Sequence, residues 1–164
     1  MEKVVFYRCI HCGNIVEMVN SSGVNVVCCG ENMTALVPNT TDASTEKHVP
    51  VVEVKDGTVS VKVGSAEHPM TEEHYIQWIC LVTDKGVYRR NLKPLSKPEV
   101  QFALKDEKPL EVYAYCNLHG LWKADCDIFL IFVNHVGHQI RSVGIAQSQN
   151  ICKHKRRRLN ISVF

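Results

Sequence analysis

Two groups of metal-ligating side chains stand out in the 164-residue sequence. The first is Cys9-x-x-Cys12 followed by the vicinal pair Cys28-Cys29. Four thiolates can close a tetrahedral shell around one zinc or one iron ion, and spacing alone does not choose between the two. Adjacent cysteines on one ion constrain the S–metal–S angle, so the tetrahedron they complete is distorted. Free or disulfide-linked thiols are the alternative, and the knuckle-like spacing argues against it.

The second group is dispersed. In "YAYCNLHGLW", residues 113–122, an alternating apolar run stops at Cys116, and His119 follows with no second Cys-x-x-His nearby to complete a zinc finger. His48 precedes an apolar run, His68 lies in "SAEHPM", and His74 precedes "YIQWICLV". One histidine in such a place is ordinary surface. Four of them with a cysteine, all at the ends of predicted strands or in loops, form a ligand set that a rigid β-scaffold can bring together. Structural zinc is satisfied by four ligands, and magnesium or calcium prefers oxygen. Imidazoles suit iron, and a thiolate donates electron density that governs the fate of bound dioxygen species. Five such ligands leave a sixth position open, which describes a redox centre. Glu46 and Lys47 directly precede His48. Their bland reading is a solvated charge pair. Their functional reading has Lys47 bringing positive charge toward an anionic substrate and Glu46 filling the open position in its absence.

The elements that must position these ligands are mostly strands. Residues 1–37 are too few to build a core alone and need a metal as a staple. "VPNTTDASTEKHVP", residues 37–50, reads as an interdomain linker. From Pro50 the pattern is β: "VVEVKDGTVSVKVG" alternates on either side of Asp56-Gly57, a strong hairpin signal, and "HYIQWICLVTDKGVYRRNL" repeats the form around "DKG". "PEVQFAL" and "LEVYAYC" supply two more strands. Six or so short strands without a helical period predict an all-β chain, a small metal module followed by an antiparallel sandwich. Cys80, inside one strand, reads as a core residue.

The formal net charge of +2 conceals a mildly acidic body and a basic end, "KHKRRR", so the body carries no broad nucleic-acid footprint. The longest apolar run, "IFLIFV", falls far short of the ~20 residues that span a bilayer. The start "MEKVVFYRC" lacks the features of a secretory signal, and with knuckle-spaced cysteines this predicts a reducing cytoplasm. Residues 126–164 do not continue the β pattern. They are expected to be a poorly ordered extension, either a tail for a membrane surface or nucleic acid or, the preferred reading, a read-through segment. Cys126, Cys152, His135, His138 and His154 receive no role.

"YRCIHCGNIV…VVCCGENM", "EKHVPVVE", "EHPMTEEHYIQWI" and "YCNLHGLWKA", in that order, resemble the desulfoferrodoxins, the two-iron superoxide reductases. The resemblance covers residues 1 to about 125. It implies a desulforedoxin- or rubredoxin-like iron module over residues 1–37, with iron on Cys9, Cys12, Cys28 and Cys29. It implies an immunoglobulin-like sandwich over residues 38–125, with a second mononuclear iron held by equatorial His48, His68, His74 and His119 and axial Cys116. The implied activity is one-electron reduction of superoxide to hydrogen peroxide without release of dioxygen, with Lys47 and Glu46 at the open position. The implied partners are an electron donor such as rubredoxin and a second copy of the chain as a homodimer. No nucleic acid is required. The rival readings are a non-enzymatic iron-binding electron-transfer protein and a superoxide dismutase.

Overall fold

The computed structural model describes residues 4–126. The expectations for the extension beyond Cys126 therefore lie outside the described residues. The N-terminal module consists of strands β1 (Val5–Arg8), β2 (Ile15–Met18) and β5 (Thr34–Ala35), hydrogen-bonded in the order β2-β1-β5, and the ribbon β3 (Val27–Cys28) and β4 (Glu31–Asn32). A short helix, α1 (Thr45–His48), leads into seven further strands: β6 (Pro50–Lys55), β7 (Thr58–Val63), β8 (Ile76–Thr83), β9 (Val87–Asn91), β10 (Glu99–Ala103), β11 (Pro109–Cys116) and β12 (Gly120–Asp125).

The turn chemistry behaves as predicted. Asp56 and Gly57 both take positive φ, 48° and 74°, and Lys55 pairs with Thr58 across them. Their left-handed pair matches the twist of the flanking strands, so β6 and β7 close as a two-residue hairpin. The second predicted hairpin is β8–β9, with Val82 opposite Val87 around "DKG".

These strands build an immunoglobulin-like antiparallel sandwich, with β10-β7-β6 facing β12-β11-β8-β9. Between the sheets lie Val59, Val61 and Val63 of β7, Phe102 of β10, Ile79 and Leu81 of β8, and Val112 and Ala114 of β11. The predicted count of six or so strands omitted β12. Its Leu121 and Trp122 are both buried, so the two faces of this strand show no polar-apolar alternation to read.

The four-stranded sheet is apolar on its other face too. Trp78, Cys80 and Val82 of β8 and Tyr113 and Tyr115 of β11 pack there with Phe6 of β1, with Val4, Ile15 and Leu36 alongside. Phe6 meets Trp78 at 4.9 Å and Tyr113 at 5.6 Å between ring centroids. The module too small for its own core thus borrows one, and burying a Phe side chain contributes roughly 1.5–3 kcal/mol. Cys80 is fully buried, in this intermodular layer and not between the sandwich sheets.

The segment read as a linker is tied down at both ends. Asn39 donates its backbone N–H to Leu121 and its side-chain amide to the Lys123 carbonyl (3.0 and 3.1 Å), and its Oδ1 accepts the Lys123 N–H at 2.8 Å. Its end is helical, because Val49 N–H reaches the Thr45 carbonyl at 2.9 Å.

Candidate metal centres

The first centre lies at two tight turns. After β1, Gly13 N–H donates to the Cys9 carbonyl and Cys9 N–H to the Asn14 carbonyl (3.0 and 2.9 Å), closing a loop whose Gly13 has φ 77°. In the ribbon, Cys28 pairs with Glu31, and the two intervening residues, Cys29 and Gly30, take φ 52° and 84°. This geometry accounts for the vicinal pair: Cys28 ends a strand and Cys29 begins its turn. The Cys12 and Cys28 sulfurs are 3.6 Å apart, those of Cys28 and Cys29 4.0 Å, and all four lie within 4.8 Å of one another. His11 and Glu31, 3.0 Å apart, join the two turns.

Four thiols this close cannot all ionise independently. Backbone N–H groups of Cys12 and His11 favour the Cys9 thiolate, lowering its pKa to about 6, while the neighbouring sulfurs push Cys29 up to about 12. A cation among them reverses that repulsion, which is the donor chemistry of a tetrathiolate metal site.

The second centre gathers residues from four segments. His48 ends α1, His68 is in the β7–β8 loop, His74 precedes β8, Cys116 ends β11, and His119 lies in the turn before β12. Their five ligand atoms lie within 4.8 Å of one another. Donors bound to one ion at about 2.0–2.3 Å can be no more than about 4.6 Å apart, so the cluster has the dimensions of a single-ion shell. The imidazoles form a ring: His48–His68, His68–His74, His74–His119 and His119–His48 centroids are separated by 4.7, 4.7, 4.8 and 4.7 Å, with planes crossed by 76–83°. The diagonal His48–His74 distance is 6.4 Å, close to that of a square with such sides.

Local hydrogen bonds choose the nitrogen each ring offers. His48 Nδ1–H donates to the Ser44 carbonyl at 2.7 Å, because the helical turn brings that oxygen back over the ring, and this leaves Nε2 facing inward. His68 Nδ1–H donates to the Pro69 carbonyl at 2.5 Å, so its Nε2 is likewise inward. The Nε2 atoms of His68 and His74 are buried without a hydrogen-bond partner among the described residues. A buried imidazole nitrogen left unpaired is costly unless something binds it, and a metal ion is what these two atoms fit. His119 presents Nδ1, 2.9 Å from His48 Nε2 and 3.6 Å from the Cys116 sulfur. Trp122 supports one ring and one ligand's backbone. It stacks on His48 at 4.8 Å, and its indole N–H donates to the His119 carbonyl at 3.1 Å.

Burial favours the neutral form of three of the imidazoles, the form a ligand must take. It lowers the pKa of His48 and His74 and brings that of His68 down to about 4. Burial pushes the Cys116 thiol up, against the pull of the His119 and Leu118 backbone N–H groups, so this sulfur ionises most readily when a cation arrives.

All nine predicted ligands thus fall into the two expected groups. Glu46 and Lys47 are exposed. The Glu46 carboxylate is outside the five-donor cluster: it accepts the Ser44 hydroxyl at 2.7 Å, which holds it ionised. Lys47 lines an open groove of about 570 Å³ whose wall includes His68 and which Lys97 also lines. Sequence reasoning missed Ser44, Gly64 and Asn117. Gly64, at φ 82°, allows the Lys47 backbone to pass where a Cβ would lie 2.6 Å from its carbonyl oxygen. Its signal was a glycine directly after a strand, a place where a close backbone approach is common.

Comparison with known proteins places this arrangement. Residues 40–125 match the family model described as desulfoferrodoxin, and residues 1–36 match that for the desulfoferrodoxin N-terminal domain. The desulfoferrodoxin of Syntrophotalea carbinolica is 50% identical over 124 residues, which are 76% of this chain and 98% of that protein. That of Nitratidesulfovibrio vulgaris is 50% identical over 119 residues, 73% and 94% of the two chains. The crystal structure of the superoxide reductase from Treponema pallidum is similar with a TM-score of 0.65 and 44% identity, over 76% of this chain and 100% of that one. On the two family matches and these identities, the chain belongs to the desulfoferrodoxin family.

Proposed function

We propose that the chain is a superoxide reductase, reducing superoxide by one electron to hydrogen peroxide without releasing dioxygen. The observation that carries this reading is the square of four imidazoles beside one buried thiol, five donors where a structural site needs four. We infer that residues 1–37 hold one iron on Cys9, Cys12, Cys28 and Cys29 and that residues 38–125 hold a second on His48, His68, His74, His119 and Cys116. Iron in the second site would supply the electron and an open coordination position.

The chain's own side chains do the rest. Lys47, on the groove beside His68, draws the small anion inward and orients a proton source for the two protons that peroxide carries away. Trp122 and the carbonyls of Ser44 and Pro69 hold the imidazoles in one orientation and tautomer. Glu46, released from Ser44, is the carboxylate we assign to the open position when substrate is absent.

We further infer a homodimer formed through the N-terminal modules, a reading supported by the exposure of Ile10, Val19, Val24 and Val27. The electron donor is inferred to be a small redox protein such as rubredoxin, and the compartment the cytoplasm. Among the described residues no helix is long and apolar enough to cross a membrane.

The test is rapid mixing of the reduced, iron-loaded chain with superoxide while peroxide and dioxygen are measured. Reduction gives peroxide and one oxidised site per superoxide. Dioxygen evolution would instead identify a dismutase, and an unchanged superoxide decay would leave only an electron carrier. A thiolate-to-iron absorption band lost in Cys116→Ser is expected alongside. A colourless zinc-loaded protein would falsify the proposal.

A further inference from the structure

Of the four histidines, His74 is held least by its own ring. His48 and His68 each anchor Nδ1 on a carbonyl, and His119 Nδ1 lies 2.9 Å from His48 Nε2 and 3.6 Å from the Cys116 sulfur. The His74 ring makes no hydrogen bond to any described residue, and its buried Nε2 has no partner. Its placement must therefore come from its backbone.

That backbone is bracketed by one side chain. The β8–β11 ladder ends at Cys116 opposite Ile76, with a register shift just before it, and beyond this point the two strands carry different ligands. Asn117, next in the chain after Cys116, continues the pairing with its side chain. Its amide N–H donates to the Glu73 carbonyl at 2.7 Å and its Oδ1 accepts the Tyr75 N–H at 2.9 Å. Its backbone N–H adds a third bond, to the Tyr75 carbonyl at 3.2 Å. Glu73 and Tyr75 flank His74, so the carboxamide grips the peptide on each side of that histidine, as a β-strand backbone would. Thr71 bonds the same two peptide groups from the other end: its hydroxyl accepts the His74 N–H at 3.1 Å and its backbone N–H donates to the His74 carbonyl at 2.9 Å.

We propose that Asn117 is a positioning residue: it locks His74 to the turn that carries Cys116 and His119, so that one side chain sets three of the five ligands relative to one another. Only a carboxamide offers the donor and acceptor this needs at that reach; aspartate keeps the acceptor for Tyr75 but sets a negative oxygen against the Glu73 carbonyl. The inference rests on the five-donor metal site proposed above and not on the reaction performed there.

The test is cobalt(II) titration of the metal-free full-length chain, read by the thiolate-to-metal absorption that Cys116→Ser abolishes. Asn117→Ala is expected to weaken cobalt binding at this site by about 10- to 100-fold, as loss of an outer-shell partner does. In a His74→Ala background the same substitution is expected to change affinity less than twofold, because the residue it positions is already gone. Equal losses in both backgrounds would show a general structural role and overturn the proposal, as would an unchanged affinity in the first. If far-ultraviolet dichroism shows that Asn117→Ala does not fold, Asn117→Asp carries the same cycle with the same expected outcomes. Absence of any Cys116-dependent band in the unsubstituted chain would overturn the metal site and the clamp together. Cobalt binding at this site, with no superoxide reduction by the iron-loaded chain, would refute only the activity.

Discussion

Replacing Gly64 by alanine tests whether the Glu46–Lys47–His48 segment is held by backbone contact. Gly64 sits at φ 82°, and a Cβ there would lie 2.3 Å from the Ala66 carbonyl oxygen and 2.6 Å from that of Lys47, against a practical minimum of 3.0 Å. Relief requires the Ala66 oxygen to retreat by about 0.7 Å, yet these loops are joined by hydrogen bonds. Ala66 N–H donates to the Glu46 carbonyl at 2.9 Å and Gly64 N–H to that of Val49 at 3.1 Å. An L-residue in the left-handed region costs about 1–2 kcal/mol, and overpacking costs about 1–3 kcal/mol. The expected loss for Gly64→Ala is therefore about 2–5 kcal/mol, measured by urea unfolding of the metal-free chain with an unchanged denaturant slope. Because the clash pushes on the Lys47 carbonyl, the iron-loaded variant should also react more slowly with superoxide. A stability loss below about 1 kcal/mol, with kinetics unaltered, would refute the reasoning, since both terms would then have been relieved without moving the loop.

Other outcomes follow from the same geometry. Lys47→Ala should slow the second-order reaction with superoxide and flatten its dependence on ionic strength, as pulse radiolysis can measure; unchanged kinetics would remove the steering role. Phe6→Ala empties the layer between Trp78 and Tyr113 and should destabilise the chain by about 3–5 kcal/mol in thermal or urea unfolding, with earlier proteolytic cleavage between residues 37 and 45. The metal-free chain should lose stability as pH falls from about 6.5 toward 4. In that window the unfolded chain binds a proton that burial denies to folded His68, whose pKa is about 4, and His48 and His74 act in the same direction. His68→Gln should flatten the profile, and a slope that is unaffected would mean that His68 is not held neutral by the fold.

The parts legible in the sequence were those fixed over a few residues. Asp56-Gly57 forecast its hairpin because only residues tolerant of positive φ close a two-residue turn with the right twist. Cys9 and Cys12 could be paired because their loop closes on itself through Gly13. The strand β12 escaped notice because Trp122 faces His48 while Leu121 faces the Phe6 layer, which erases alternation. The tied-down course of residues 37–50 escaped for a different reason: Asn39 finds its partners on a strand some 84 positions later.

The five-ligand site lies between these cases. Its ligand identities stood in the sequence, since only histidine and cysteine at strand ends offered the right donors. What the tertiary structure decided was how each one is presented. The choice of Nε2 on His48 and His68 depends on where the Ser44 and Pro69 carbonyls fall, and the aim of His74 depends on an amide borrowed from Asn117. The resting place of the Glu46 carboxylate, on the Ser44 hydroxyl and away from the five donors, was equally beyond reach of the sequence. Residue type sets which atoms can bind a metal, and a linear pattern carries that directly. Orientation is set by hydrogen bonds between segments far apart in the chain, and these exist only once the sandwich has closed.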